Sequence, residues 1–210
     1  MNKIMTKNGL ILASFAFIVT AIVALTHELT KSAVADQEQR YLLTQLDQVI
    51  APSTYDNDLV KQCVLVTAPK SLGRSTPQRA FIATQNNVPV AIAIEATAPN
   101  GYNGNIDLIV SVNPQGKVGG VRVFRHQETP GLGDKVEIAK STWIESFKDK
   151  ILTATNESQW RVKKDGGVFD QFTGATITPR AVVQATKNAV SYVTKNYQEI
   201  MSNPNHCGAQ

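Results

Sequence analysis

The sequence predicts an α+β fold, in which an N-terminal membrane-spanning helix precedes one domain made of an antiparallel sheet with flanking helices. Three observations support this prediction. An uncharged apolar segment lies near the N-terminus, β-rich runs separated by turn signals fill the middle, and apolar residues with helical spacing mark the C-terminal part. At 210 residues the chain has room for one globular domain in addition to the anchor.

The segment Gly9–Thr26 has no charged residue and, with its flanks, is long enough to cross a bilayer as a helix, which takes roughly 17–25 residues. Lys3 and Lys7 precede it, so the positive-inside rule predicts a cytoplasmic N-terminus and a domain on the other side of the membrane. The alternative is a cleaved signal peptide, for which Ser32–Ala35 offers a site with small residues. Both interpretations place the domain outside the cytoplasm.

A short amphipathic helix is predicted next, over Asp36–Ile50, because Tyr41, Leu42 and Leu46 are spaced to share one face. The Ala51-Pro52-Ser53 sequence is expected to end it. The predicted divisions of the chain are cytoplasmic residues 1–8, a transmembrane helix at 9–27, a connecting helix and linker at 28–60, the folded domain at 61–200 and a tail at 201–210.

Five β-rich runs follow, with turn sequences between them. Asn86-Asn87 and Asn113–Gly116 have turn chemistry, whereas Pro99–Gly104, with two glycines, is expected to be a loop. Strands joined in sequence by short turns favour an antiparallel sheet in meander order. The predicted strands are Cys63–Ala68, Arg79–Thr84, Pro89–Ala96, Ile106–Val112 and Lys117–Phe124.

The pattern changes to helix beyond the last strand. Val136–Phe147 has a broken helical pattern, and a regular amphipathic helix is predicted from Pro179 onward. Pro204 and the residues after it lie past the end of this helix. The apolar residues that define its buried face are Val182, Ala185, Ala189, Val190, Val193 and Tyr197.

Charge and cysteine content exclude several functions. The formal net charge is +4, and the basic residues form no stripe interleaved with aromatics, so the sequence does not predict nucleic-acid binding. Cys63 and Cys207 are too few and too far apart for a zinc or iron–sulfur site. Two alternatives remain for them: a disulfide in an oxidising compartment, or a buried thiol at Cys63 and a free thiol at Cys207.

The most informative segment is Asp170–Thr176, with the sequence DQFTGAT. The residues that follow suggest a helix start, with Thr178 as the N-cap and Pro179 in the first helical position. A helix N-terminus presents unpaired backbone N–H groups and the positive end of the peptide dipole, so it favours anions. Thr176 is therefore well placed to carry a phosphate.

This segment resembles the flavinylation motif (Asp, two variable residues, Ser or Thr, then Gly-Ala-Thr) of the flavin-bearing subunits of Rnf-type and Na⁺-translocating NADH:quinone reductase complexes. In that family FMN is joined through its phosphate to the last threonine, so the resemblance implies covalent FMN at Thr176. A separate flavin transferase, using FAD and Mg²⁺, is expected to make the bond. Asp170 is then a carboxylate that activates the hydroxyl, a Mg²⁺ ligand during this step, or a loop cap, and no metal is expected in the mature protein. The other residues of this segment with an expected cofactor role are Thr173, Gly174, Ala175 and Thr178.

A second segment, Glu128–Gly133 with the sequence ETPGLG, resembles another recurring motif of the same family. The resemblance implies one wall of a flavin pocket, in which Leu132 covers the ring while Thr129 and backbone N–H groups contact its polar edge. Glu128 and Gly131 are expected to belong to the same wall. The alternative is an ordinary connecting loop.

Tyr102 lies in a third segment with a family resemblance, Gly101–Gly104, and is expected either to stack near the flavin or to fill the core. Three lysines, Lys135, Lys163 and Lys164, have two interpretations. They lie near the ring or phosphate and favour a reduced, anionic flavin, or they are solvated surface residues.

The resemblance covers most of the chain and is strongest to the Rnf-type branch of the family. It implies a membrane-anchored electron carrier with covalent FMN, in a complex that couples electron transfer to ion translocation. The expected partners are the other membrane subunits and, during maturation, the flavin transferase. The expected location is the bacterial inner membrane with the domain in the periplasm, and the chain is expected to be a redox subunit that is not catalytic alone. The alternatives are a component like the corresponding flavin-bearing subunit of the Na⁺-translocating NADH:quinone reductase, a membrane-tethered reductase that acts alone, and a non-redox assembly or sensor module.

Overall fold

A computed structural model describes residues 2–203 and 206–207 of the chain. The chain divides into two units, Met1–Leu42 and Leu43–Gln210. The helices are α1 (Asn2–Val49), α2 (Pro69–Leu72), α3 (Ile177–Lys195) and α4 (Tyr197–Met201), and the strands are β1 (Cys63–Val66), β2 (Gln78–Gln85), β3 (Val88–Gly101), β4 (Gly104–Val112) and β5 (Val118–Arg125). Short 3₁₀ helices lie at Pro52–Thr54, Gly133–Val136, Thr142–Phe147, Glu157–Gln159 and Lys163–Asp165. The predicted α+β class is confirmed.

Helix α1 contains a stretch near the N-terminus that is long and apolar enough to cross a membrane. Residues Gly9–Thr26 are exposed throughout. The predicted helix at Asp36–Ile50 is present as far as Val49, but it is not a short helix of its own, because α1 continues through this region without a break. No glycine or proline occurs between Gly9 and Pro52, so nothing interrupts the helical hydrogen bonds before the predicted break.

The sheet is an antiparallel meander in the order β1-β2-β3-β4-β5, as predicted. Asn86 and Asn87 turn the chain between β2 and β3 with positive φ angles of 51° and 61°, which a two-residue hairpin turn requires. The predicted loop at Pro99–Gly104 is wrong. Strand β3 instead continues to Gly101, which pairs with Gly104, so that only Tyr102 and the next residue form the turn.

Helix α3 packs on β3 and β4 and covers one face of the sheet. Its predicted buried face is correct from Val182 to Val193, both of which have no exposed surface. Tyr197 is not part of this helix, because α3 ends at Lys195 and Tyr197 begins α4. Beside α3, aromatic rings from the 3₁₀ region fill the core. The rings of this aromatic cluster belong to Trp143, Phe147, Trp160, Phe169 and Phe172.

The last turns of α1, within the second unit, lie on the opposite face of the sheet. Ser111 Oγ donates a hydrogen bond of 2.5 Å to the carbonyl oxygen of Val49, and Arg122 Nε donates one of 2.8 Å to Gln48 Oε1. A Cβ at Gly120 would lie 3.0 Å from Val49 Cα, so the glycine lets the helix backbone approach the strand. Both faces of the sheet are therefore covered.

The C-terminal segment returns to the sheet edge. A disulfide joins Cys63 to Cys207, with a Cα–Cα distance of 5.2 Å, so the structure contains the paired form of the two alternatives. Next to it, Cys207 N–H donates a hydrogen bond of 2.8 Å to the Cys63 carbonyl, and His206 forms a β-bridge with Val64. Residues 204–205 and 208–210 of the predicted tail lie outside the described residues.

Candidate functional site

Three distant segments of the chain meet around one cavity of about 290 Å³. They are the β3–β4 hairpin, the segment after β5, and the motif loop with the first turn of α3. The lining residues are Tyr102, Glu128, Thr129, Leu132, Gly133, Gly174, Ala175, Thr176, Ile177 and Thr178. We call this cavity the Thr176 pocket.

The motif loop is held in place by its aromatic residue. Phe172 is buried, and its ring lies edge-on to that of Trp143 with 5.0 Å between centroids. Trp143 Nε1 also donates a hydrogen bond of 2.8 Å to the carbonyl oxygen of Asp170. A turn closed by the Ala175 N–H and the Phe172 carbonyl follows, with Gly174 at φ 82°. This turn presents Thr176 half-buried at the pocket.

The predicted start of α3 is wrong by about two residues. The helix begins at Ile177, with Thr176 in the N-cap position, and no side chain caps it. Thr178 does not act as the N-cap because its buried hydroxyl donates a hydrogen bond to the carboxylate of Glu128. Pro179 is consequently the third helical residue. The N–H groups of the first turn have no intrahelical partner, so this end of the pocket favours an anion.

Glu128 connects all three walls of the pocket and is 5 % exposed. One carboxylate oxygen accepts the Thr178 hydroxyl, and the other accepts the backbone N–H of Asn103 in the β3–β4 hairpin at 3.0 Å. A Cβ at Gly133 would lie 2.9 Å from both Glu128 and Thr178, which means that the glycine is needed for the close packing. A Cβ at Gly101 would likewise meet the Glu128 carboxylate at 3.0 Å.

The rim of the pocket is apolar and open to solvent. Tyr102, Leu132 and Ile177 are 64 %, 41 % and 45 % exposed, respectively. The hypothesis that Tyr102 fills the core is therefore wrong. Gly174 lies close to the rim, and a Cβ there would lie 3.4 Å from Leu132 Cδ2. Such a rim suits a flat apolar ligand with one exposed edge.

Three predicted site residues do not line the pocket. Thr173 is exposed in the turn, and Gly131 provides a positive φ of 76° before Leu132. Asp170 points to solvent and forms an ion pair of 2.6 Å with Lys163. Neither this lysine nor Lys135 or Lys164 lines the pocket, so the interpretation of lysines at the ring has no support in the structure. The described residues also contain no cluster of His, Cys, Asp and Glu able to hold a metal.

Sequence reasoning missed two lining residues, Gly133 and Ile177. Gly133 is the last glycine of the ETPGLG segment, so its position in a resembling motif was an available signal. The sequence contained no signal for Ile177 other than its position directly after Thr176. Ile177 also lines a second cavity, of about 560 Å³. There Arg180 donates two hydrogen bonds of 2.6 Å to Asp165, which hold the pKa of that carboxyl below its usual range.

Comparison with known sequences assigns a class to this site. Residues 101–191, which include every lining residue, match the family described as FMN-binding domain. The part of the chain that forms the Thr176 pocket is therefore an FMN-binding domain. Residues 1–49 match the family described as RnfG N-terminal region.

Relatives that span the whole chain narrow the assignment. The chain is 52 % identical over 209 residues to the G subunit of the ion-translocating oxidoreductase complex of Shewanella baltica (strain OS223), covering 100 % of this chain and 99 % of the relative. It is also 52 % identical over 204 residues to the protein of that name from Vibrio cholerae serotype O1 (strain ATCC 39541), covering 97 % of each. The chain belongs to the family of G subunits of ion-translocating oxidoreductase complexes, which confirms the Rnf-type resemblance.

Proposed function

We propose that this chain carries FMN as a redox subunit of an ion-translocating oxidoreductase complex, with the FMN phosphate bonded covalently to Thr176 Oγ. The single observation that carries the proposal is that Thr176 lies at the Thr176 pocket together with Glu128, Thr129 and Leu132. These residues come from two motifs that are far apart in the sequence, and one ligand is able to contact both.

The residues of the pocket fit FMN. The exposed apolar rim residues Tyr102, Leu132 and Ile177 offer contacts for the flat ring. The uncapped first turn of α3 offers backbone N–H groups for the phosphate, and Thr176 lies at the N-cap position beside them. Gly174 keeps side-chain atoms away from the loop that carries Thr176, so the backbone is able to approach a bulky group.

Attachment requires a donor and a base, and the one carboxylate of the Thr176 pocket, Glu128, is already hydrogen-bonded to Asn103 and Thr178. In the proposed step, Thr176 Oγ attacks the FMN phosphorus of FAD, the pyrophosphate P–O bond breaks, AMP leaves, and the hydroxyl proton passes to a base. A threonine hydroxyl is a weak nucleophile without activation. A flavin transferase with Mg²⁺ is proposed to supply the donor, the metal and the base, while the exposed residues Thr173 and Gly174 give it access to the loop.

The flavin supplies the redox chemistry when bound, and the chain positions it. The turn at Gly174 and the buried Phe172 fix the attachment point, while the Glu128 hydrogen bonds fix the walls around it. A pocket that is preorganised in this way would hold a bound flavin in one orientation, and the flavin would supply the electron transfer.

Helix α1 is proposed to anchor the domain in the inner membrane, with the N-terminus in the cytoplasm and the domain in the periplasm. The exposed apolar stretch and the preceding Lys7 support this topology. The Cys63–Cys207 disulfide suits an oxidising compartment. Because Gly9–Thr26 has no ionisable residue except at its flanks, the ion pathway is proposed to lie in partner subunits.

The decisive experiment is in-gel flavin fluorescence of the denatured full chain after coexpression with a flavin transferase. Wild type is compared with Thr176→Val, which removes the hydroxyl and keeps the shape of the side chain. Thr155→Val is the matched control, because Thr155 is exposed, outside the DQFTGAT segment and outside the pocket lining.

We expect fluorescence in wild type and Thr155→Val and none in Thr176→Val, with a peptide mass increase for phosphate-linked FMN at Thr176. Fluorescence that survives in Thr176→Val would refute the attachment site. Wild type without fluorescence would refute covalent attachment altogether.

A further inference from the structure

The carboxylate of Glu128 is buried against the pocket in which FMN is proposed to bind, and its charge has consequences for the cofactor. Glu128 is 5 % exposed and lines the Thr176 pocket directly. Every other lining residue is neutral: one glutamate is accompanied by tyrosine, threonine, leucine, isoleucine, alanine and glycine side chains. Glu128 is therefore the one charged side chain of the lining, and its negative charge lies beside the uncapped N-terminal turn of α3.

The partners of Glu128 stabilise this charge without neutralising it. Its oxygens accept hydrogen bonds from the Asn103 N–H and the Thr178 hydroxyl, which are both neutral donors. Its own backbone N–H is held by His126 Nδ1 at 3.0 Å, and His126 Nε2 is bonded to Glu137 at 2.6 Å. The carboxylate is thus fixed in position and is itself shielded from water, and a shielded charge acts more strongly on its neighbours than a solvated one.

We propose that Glu128 is the positioning residue that assembles the three walls of the pocket, and that its charge lowers the reduction potential of the bound flavin. The inference rests on the proposed function, in that it requires FMN in the Thr176 pocket. A fixed negative charge disfavours the negative charge that reduction adds to the ring, so it favours the oxidised flavin. This shift in the reduction potential is opposite in sign to the one expected from lysines near the ring.

The test uses the full chain with covalent FMN, prepared with the flavin transferase, and spectroelectrochemical titration of the flavin absorbance. Glu128→Gln removes the charge and keeps the size of the side chain. We expect at least a tenfold shift of each one-electron equilibrium toward the reduced flavin, which corresponds to about 59 mV. Glu157→Gln is the matched control. It makes the same chemical change at a surface site paired with Lys187, and should leave the potential unchanged.

A second variant separates the charge from a general disturbance of the pocket. Thr178→Val removes a hydrogen-bond donor from Glu128 and leaves the carboxylate charged. The less compensated charge should hold the potential at or below the wild-type value, opposite in sign to Glu128→Gln. A loosened pocket alone would shift both variants in the same direction.

Each outcome bears on the inference. A raised potential in Glu128→Gln together with an unchanged or lowered one in Thr178→Val supports it. A flavin-loaded Glu128→Gln protein with the wild-type potential overturns it, while the covalent site at Thr176 still stands. If Glu128→Gln takes up no flavin, Thr178→Val decides, because a raised potential in that variant overturns the inference and an unchanged or lowered one supports it.

Discussion

The Cys63–Cys207 disulfide makes a large and testable contribution to the stability of the domain. It closes a loop with a sequence separation of 144 residues. In the chain-entropy model such a loop lowers the entropy of the unfolded state enough to stabilise the fold by about 5 kcal/mol at 25 °C. Replacing Cys207, at the C-terminal end of this loop, with serine removes the bond and leaves Cys63 in its buried site.

The measurement is urea unfolding of wild type and Cys207→Ser in the same detergent. Both tryptophans of the chain, Trp143 and Trp160, lie in the domain, so their fluorescence reports its unfolding. With an m-value of about 3 kcal/mol per molar urea, a loss of about 5 kcal/mol lowers the midpoint by about 1.7 M. Wild type treated with a thiol reductant is the control, and it should unfold at the same midpoint as the variant.

Two results would refute this reasoning. One is that Cys207→Ser and reduced wild type unfold at the same urea midpoint as untreated wild type, since the bond would then contribute nothing to the unfolding free energy. The other is alkylation of both cysteines in native protein isolated without reductant, because the bond would then be absent from the natural fold.

Three further predictions follow from the packing and the charges. Gly133→Ala should destabilise the domain by about 1–3 kcal/mol and reduce flavin loading, because its Cβ meets the pocket walls at 2.9 Å. Gly131→Ala, at a position with φ 76° and open space around a Cβ, should destabilise the domain by about 1–2 kcal/mol and retain normal flavin loading. Equal flavin loading of the Gly133→Ala and Gly131→Ala variants would contradict this difference. Phe169→Ala should lose about 3–5 kcal/mol in thermal unfolding, because Phe169 is 1 % exposed and stacked in the aromatic cluster. The hydrogen bonds from Arg180 lower the pKa of Asp165, so their contribution is present above the unfolded pKa of about 3.9 and lost as the pH falls through the lower folded pKa. Asp165→Asn should therefore flatten the acid limb of a stability–pH profile, and an unchanged limb would count against the ion pair.

The order of the strands was predictable because it depends on short-range chemistry. Asn86-Asn87 and Asn113–Gly116 are turn sequences between runs of β-forming residues, so each hairpin is encoded within a few residues. The turn signal between β3 and β4 was ambiguous, and the loop predicted there was wrong. The two glycines at 101 and 104 indicated a loop, but they pair across the end of a longer hairpin.

The identity of the candidate site was also visible in the sequence, whereas its geometry was not. The DQFTGAT and ETPGLG segments suggested one pocket through their resemblance, and the structure brings Thr176, Glu128 and Leu132 together. The exact start of α3 was missed because the Thr178 hydroxyl bonds to a glutamate 50 positions earlier. A helix cap predicted from neighbouring residues cannot take account of a competing acceptor that is distant in the chain.

The sequence by itself determined the α+β class, the meander and the apolar N-terminal segment, which depend on residue type and spacing over short distances. It also contained the threonine that is proposed to carry the flavin, which the resemblance of the DQFTGAT segment to a family motif identified. Only the tertiary structure decided that the end of α1 lies on the second face of the sheet, that Cys207 returns to Cys63, and that Glu128 lies buried at the junction of three walls. Those features depend on which distant surfaces pack together, and packing is set by shape and burial across the whole domain rather than by local preference.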